Sequence, residues 1–124
     1  MSVSIVIPGR PLSVNRVYMP LGRGRTVMTK EGRRFVHLVS VCAKEAMGDR
    51  PPFKVPLRMD VTFFFDRKIE GTELPMQDRD GPLKPLQDGL NGIVYEDDKW
   101  VMGGLVEKEY DARWPRTELR VTAL

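Results

Sequence analysis

The residues best equipped for chemistry lie between positions 78 and 98: Asp78, Asp80, Lys84, Asp88, Asp97 and Asp98. Carboxylates brought within about 4 to 6 Å repel one another until a proton or a cation relieves them. Oxygen ligands of this kind suit Mg²⁺ or Mn²⁺, hard ions that keep several waters and bridge to phosphate oxygens. Lys84 lies one helical turn beyond Asp80, so its ammonium could reach the same cavity or pair along a helix surface with Asp80 or Asp88. Each aspartate also has an ordinary reading. Asp80 could cap a helix, Asp97 and Asp98 could be turn residues, and Asp88 could face solvent.

Other chemistries fit less well. One cysteine and one histidine cannot build a usual zinc site. A calcium loop fails on register: with Gly81 at the loop's glycine position, the first and last ligand positions fall on Met76 and Gln87 rather than on carboxylates. No serine or cysteine has a credible histidine partner, and His37 reads as a surface residue beside Arg33 and Arg34. No glycine-rich phosphate loop follows a strand, so no nucleotide cofactor is expected.

Charge is unevenly distributed. The chain carries a net +3, yet residues 8–37 hold Arg10, Arg16, Arg23, Arg25, Lys30, Arg33 and Arg34 against the single acid Glu31, whereas residues 66–98 are strongly acidic. A basic face beside an acidic pocket suits a polyanion held by cations and processed through bound metal. Tyr18, among these arginines, is a further candidate for touching nucleic acid.

These groups need a scaffold, and 124 residues are enough for one domain over 1–124 with a real core. Val3, Ile5 and Ile7 alternate and Pro8-Gly9 stops them, which predicts a strand over 2–7 rather than a signal peptide. No apolar run approaches the roughly 18 residues that span a bilayer, so a cytoplasmic protein that inserts in no membrane is expected, in keeping with the lone Cys42. Proline, glycine and arginine dominate residues 9–28, which read as a long loop. Thr29 should cap a helix over 30–47 with Phe35, Leu38, Val39, Cys42 and Ala46 on its apolar stripe. Val55 to Phe65 alternate as a half-buried strand, and residues 67–79 form a polar excursion. A second helix should run from about 82 to 93, with Pro82 and Pro85 in its first turn and a close-packing reason for Gly89 and Gly92. Strands over about 100–107, bulged at Gly103-Gly104, and about 116–123 complete a β-α-β-α-β-β order: an α+β sandwich with two helices on one mixed sheet.

Taken together, the residues resemble the RusA family of Holliday junction resolvases, endodeoxyribonucleases often carried by phages and prophages. The family pattern D-x-D-N-x-x-K-x-x-x-D-x-L followed by D-D is met in order and spacing by Asp78, Asp80, Lys84, Asp88, Leu90, Asp97 and Asp98. The N-terminal half is similar too, in S-x-N-R-x-Y (Ser13, Asn15, Arg16, Tyr18), G-R-T (Gly24, Arg25, Thr26) and E-G (Glu31, Gly32). The resemblance implies that Asp78, Asp80 and Asp98 are metal-binding catalytic carboxylates, with Asp97 a fourth ligand and Lys84 the catalytic-site lysine. It also implies a RusA-like fold, a Mg²⁺ cofactor that Mn²⁺ could replace, and a homodimer cutting a four-way DNA junction in recombination and repair. The DNA-facing residues would then be Asn15, Arg16, Tyr18, Arg23, Arg25, Arg33 and Arg34. The chain departs from the pattern at Gly81, where the family has asparagine, and in the added prolines Pro82 and Pro85. The excursion over 69–77 is longer than the family's usual loop. A rival reading is a non-catalytic junction-binding protein descended from a resolvase, with Gly81 its best argument; a third is a plain interaction module.

Overall fold

The computed structural model describes all of residues 1–124. Its scaffold is a mixed sheet with helices on one face. Strand β1 (Ser2–Pro8) pairs antiparallel with β7 (Arg116–Ala123), and β7 pairs antiparallel with the central strand β4 (Leu57–Phe65). On its other edge β4 pairs in parallel with β5 (Val101–Gly103) and then β6 (Val106–Tyr110). The fold class is therefore the expected α+β arrangement.

Period-two patterning decides which face is buried. Leu57, Met59, Val61, Phe63 and Phe65 point inward and are almost wholly buried. Each such side chain contributes roughly 1.5–3 kcal/mol by leaving water. Val55, expected in the same row, precedes the strand and is exposed. Helix α2 (Lys30–Met47) covers this face through Phe35, Val39, Ala43 and Met47. Its stripe is rotated slightly from the expected one, so Cys42 and Ala46 are only partly buried at its margin, while His37 faces solvent as expected. Thr29 is the cap, its hydroxyl accepting from the Gly32 amide at 2.9 Å, and the helix ends at Gly48.

Helix α3 (Leu83–Leu90) packs against α2. It is shorter than the 82–93 expected, because Asn91 leaves the helix and Gly92 turns with φ +80°. Pro82 stands at the N-cap and Pro85 in the first turn, where a missing amide hydrogen costs nothing. Gly89 has the packing reason the sequence implied: a Cβ there would lie 2.5 Å from Val39 Cγ1.

Two further expectations need correction. Residues 9–28 are not a loop throughout: a short helix α1 (Val14–Val17) leads into a hairpin of β2 (Tyr18–Gly22) and β3 (Arg25–Met28). Its turn puts Gly22, Arg23 and Gly24 all at positive φ, and the alternation that announces a strand is absent because most of the ribbon is exposed. The bulged strand over 100–107 is likewise two strands. Trp100 belongs to a 3₁₀ turn (Asp98–Trp100), and the chain breaks at Gly104, which passes directly beneath the Met59 backbone.

The sheet's other face carries no helix. A concavity of about 340 Å³ runs along Ser4, Asp60, Thr62 and Glu118. At one end, Asp111 closes the β6–β7 connection by accepting from Arg116 at 2.9 Å and from the amides of Arg113 and Trp114 at 3.0 and 3.1 Å. Arg116 first, then the two amides, hold the Asp111 carboxyl below its ordinary range. A lowered carboxyl stabilises the fold above its unfolded pKa and stops doing so as pH falls through the folded value. Melting curves should therefore show Asp111→Asn less stable than wild type at neutral pH, with the gap closing below about pH 4.

Candidate active site

Three segments meet over the end of α3. The helix presents Lys84 and Asp88 four residues apart, and Lys84 Nζ lies 3.3 Å from Asp88 Oδ2. The base of the hairpin supplies Tyr18, whose hydroxyl donates to the same carboxylate and whose ring centre is 5.2 Å from Lys84 Nζ. The turn after α3 supplies Asp97 and Asp98. Its backbone is stitched to the segment before β4: the Phe53 amide donates to the Val94 carbonyl at 2.8 Å and the Glu96 amide to the Phe53 carbonyl at 3.0 Å. Asp97 caps the 3₁₀ turn, accepting from the Lys99 amide at 2.8 Å.

Electrostatics tie Asp88, Asp97 and Asp98 into one group. Burial and then the Asp98 charge raise the Asp88 carboxyl above its ordinary range. Asp98 is raised by partial burial and then by a hydrogen bond and like charge from Asp97, against which Lys84 pulls it down. Beneath them Tyr95 is fully buried, and its hydroxyl has no hydrogen-bond partner. Burial first, then Asp98, Asp88 and Asp97, push that hydroxyl far above the usual phenol range, so it remains a donor at any working pH. The Asp97–Asp98 pair, offset only by Lys84, stands over this orphaned buried hydroxyl and offers oxygen donors of the kind a hydrated hard cation such as Mg²⁺ takes.

The other expected ligands stand apart as placed. Asp80 is exposed and pairs with Arg79 at 3.0 Å. Asp78 lines a narrow cleft with Arg10, Ser13, Arg16, Asp66 and Gln77, where Arg10 Nε meets Asp66 at 2.7 Å. No three of these carboxylates lie close enough together to hold one ion. Gly81 seals the junction between this cleft and α3, its carbonyl accepting from the Val14 amide at 2.9 Å. A Cβ there would approach Ser13 Cβ to 3.1 Å, so the family's asparagine would require Ser13 to yield slightly.

The basic residues flank this group. Arg23 forms the hairpin turn and Arg25 opens β3, both exposed, as are Asn15 on α1 and Arg34 on α2. Arg16 is partly neutralised by Glu31 at 3.3 Å, and Arg33 donates to the Met28 carbonyl at 2.8 Å, bracing the hairpin. Tyr18 is committed to Asp88 through its hydroxyl and anchors the ribbon. Reading the sequence missed Tyr95 altogether, since a lone tyrosine in a turn carries no signal. Asp88 was open to detection through its four-residue spacing from Lys84.

Residues 8–122 match the family described as Endodeoxyribonuclease RusA. No curated protein matches the chain. No helix is long and apolar enough to cross a membrane. A match over nearly the whole length means that the chain belongs to the RusA family of Holliday-junction-resolving endodeoxyribonucleases.

Proposed function

We propose that the protein is a Mg²⁺-dependent Holliday junction resolvase that acts as a homodimer and makes paired symmetric nicks in four-way DNA, in recombination and repair. The observation that carries this reading is the meeting of Lys84 with Asp88, Asp97 and Asp98 at the foot of an arginine-bearing hairpin. Asp98 and Asp97 would hold the ion, joined by Asp78 and Asp80 once the exposed residues before α3 turn toward them. A divalent ion bound there supplies an activated water and offsets charge on the phosphate. Lys84 adds a fixed cation where the anionic transition state forms, and Asp88 and Tyr18 restrict where its ammonium can go. A two-fold dimer supplies two identical sites for two symmetric nicks.

Arg16, Arg23, Arg25, Arg33 and Arg34 hold backbone phosphates, giving salt-dependent binding with little base information. Arg16→Ala and Arg25→Ala should each weaken junction binding and reduce the slope of log K against log salt by roughly one. Unchanged slopes would move the DNA face elsewhere. The catalytic part is tested by titrating Mg²⁺ into the protein calorimetrically and asking whether binding is lost in Asp98→Asn. The rival reading, a resolvase descendant that binds junctions without cutting, draws on the separation of Asp80 from Asp98 and on Gly81. It predicts junction binding with no cation uptake.

A further inference from the structure

The hairpin does more than carry arginines. Met19 and Leu21, both on β2, are 46% and 55% exposed, with Val27 opposite Met19 across the ribbon. The other side of the ribbon, Tyr18 and Met28, packs against the core. Single exposed apolar residues are ordinary on protein surfaces. Both stand exposed on a ribbon that ends in Arg23, Leu21 at the bulge between Pro20 and Gly22, and no acid occurs anywhere from Tyr18 to Met28.

The ribbon is also clamped at its base. The Thr29 amide donates to the Val17 carbonyl at 2.7 Å and the Thr29 hydroxyl to the Arg16 carbonyl at 2.7 Å. Gly32 lets α2 press onto Val17, where a Cβ would come within 2.5 Å of its carbonyl oxygen. Tyr18 is tied to Asp88. A ribbon with a locked base, exposed apolar residues and a cationic tip can push against a partner without folding away.

We infer that the β2–β3 hairpin is a wedge whose Met19 and Leu21 enter an unstacked base step at the branch point of a DNA junction, while Arg23 and Arg25 hold the flanking phosphates. The inference rests on the reading above that the substrate is a DNA junction. Apolar side chains of this size are the kind that pry base steps apart, and a branch point offers steps that are already strained. The positive charge on the ribbon matches a polyanion rather than an acidic-poor protein surface or a second copy of this equally basic ribbon.

The test uses the full-length protein with Ca²⁺ in place of Mg²⁺ and a junction carrying 2-aminopurine beside the branch point. Wild type should bind and raise the emission of the unstacked base. The double variant Met19→Ser, Leu21→Ser should bind within about threefold of wild type, since phosphate contacts carry affinity, yet lose most of the rise. The swap Met19→Leu, Leu21→Met should restore it, because apolar bulk is what the step requires. Equal emission from wild type and the serine variant would overturn the wedge while leaving the resolvase reading intact. A change of oligomeric state in the serine variant, seen by sedimentation, would overturn it in favour of a contact between copies. Failure of wild type to bind any junction would overturn both readings together.

Discussion

Asp98→Asn is expected to lower junction cleavage at least about a hundredfold while leaving junction affinity nearly unchanged, because in the proposed mechanism the charge at this position acts on the reacting phosphate rather than on the fold. Asp98 is exposed on the 3₁₀ turn and makes no backbone hydrogen bond through its side chain. Its carboxyl already stands above the ordinary range through partial desolvation and then the neighbouring Asp97. A raised carboxyl disfavours the charged folded state, so stability falls as pH rises through its window, and removing the charge at neutral pH does not cost stability. The melting temperature of Asp98→Asn in the absence of divalent ions should therefore equal or exceed that of wild type. Activity lost from a variant at least as stable as its parent cannot be assigned to unfolding. Asp80→Asn should behave alike in retaining binding and losing cleavage. Full Mg²⁺-dependent cleavage by either variant would remove that residue from the catalytic set.

The largest effect on stability is expected at a position with no chemistry. Gly104→Ala should lower stability by at least about 3 kcal/mol, or about 10 °C in melting temperature. Gly104 has φ +139°, and a Cβ would fall 1.8 Å from the Met59 carbonyl oxygen, inside the central strand's backbone. Neither partner can move cheaply. The adjoining contacts, the Val61 amide to the Leu105 carbonyl at 2.9 Å and the Leu105 amide to Asp60 at 2.8 Å, hold the break between β5 and β6 in place. Gly103→Ala is the control, since a Cβ there meets nothing within 4 Å. It should melt close to wild type. Similar melting of both variants would mean that the chain does not cross β4 in this way.

How much of this was open to the sequence follows from the range of the forces involved. Strand β1, helix α2 and strand β4 are written in local periodicity: alternate burial in Ile5 and Ile7, four-residue recurrence from Phe35 through Met47, and alternation from Leu57 to Phe65. Gly89 and Gly92 were legible as exceptions to helix propensity, and each has a distinct cause, Val39 for one and a left-handed turn for the other. The hairpin left no such trace. Pro20 and Gly22 lie within it, and its outer residues face water, so neither propensity nor alternation marks it. The break at Gly104 depends on the Met59 backbone, which is distant in sequence.

The site divides the same way. Asp78, Asp80, Lys84, Asp88, Asp97 and Asp98 were named from spacing, but which of them come together was not legible. Asp88 joins Tyr18 across 70 residues, and Tyr95 lies beneath the carboxylates because the turn after α3 is hydrogen-bonded to Phe53. Neither relation has a local signature. The arginines of the first third of the chain were named as one basic group, yet their charges are not equivalent. Arg16 is paired with Glu31, whereas Arg23 and Arg25 stand on the exposed ribbon without a carboxylate partner.

The most direct measurement is nick mapping on a synthetic four-way junction, with each strand end-labelled in turn and a duplex of the same sequence beside it. With Mg²⁺, the account predicts paired nicks at symmetric positions on two opposing strands, none in the duplex, and none once the ion is chelated. A protein that binds the junction tightly but leaves every strand intact across the full range of Mg²⁺ and Mn²⁺ would contradict it.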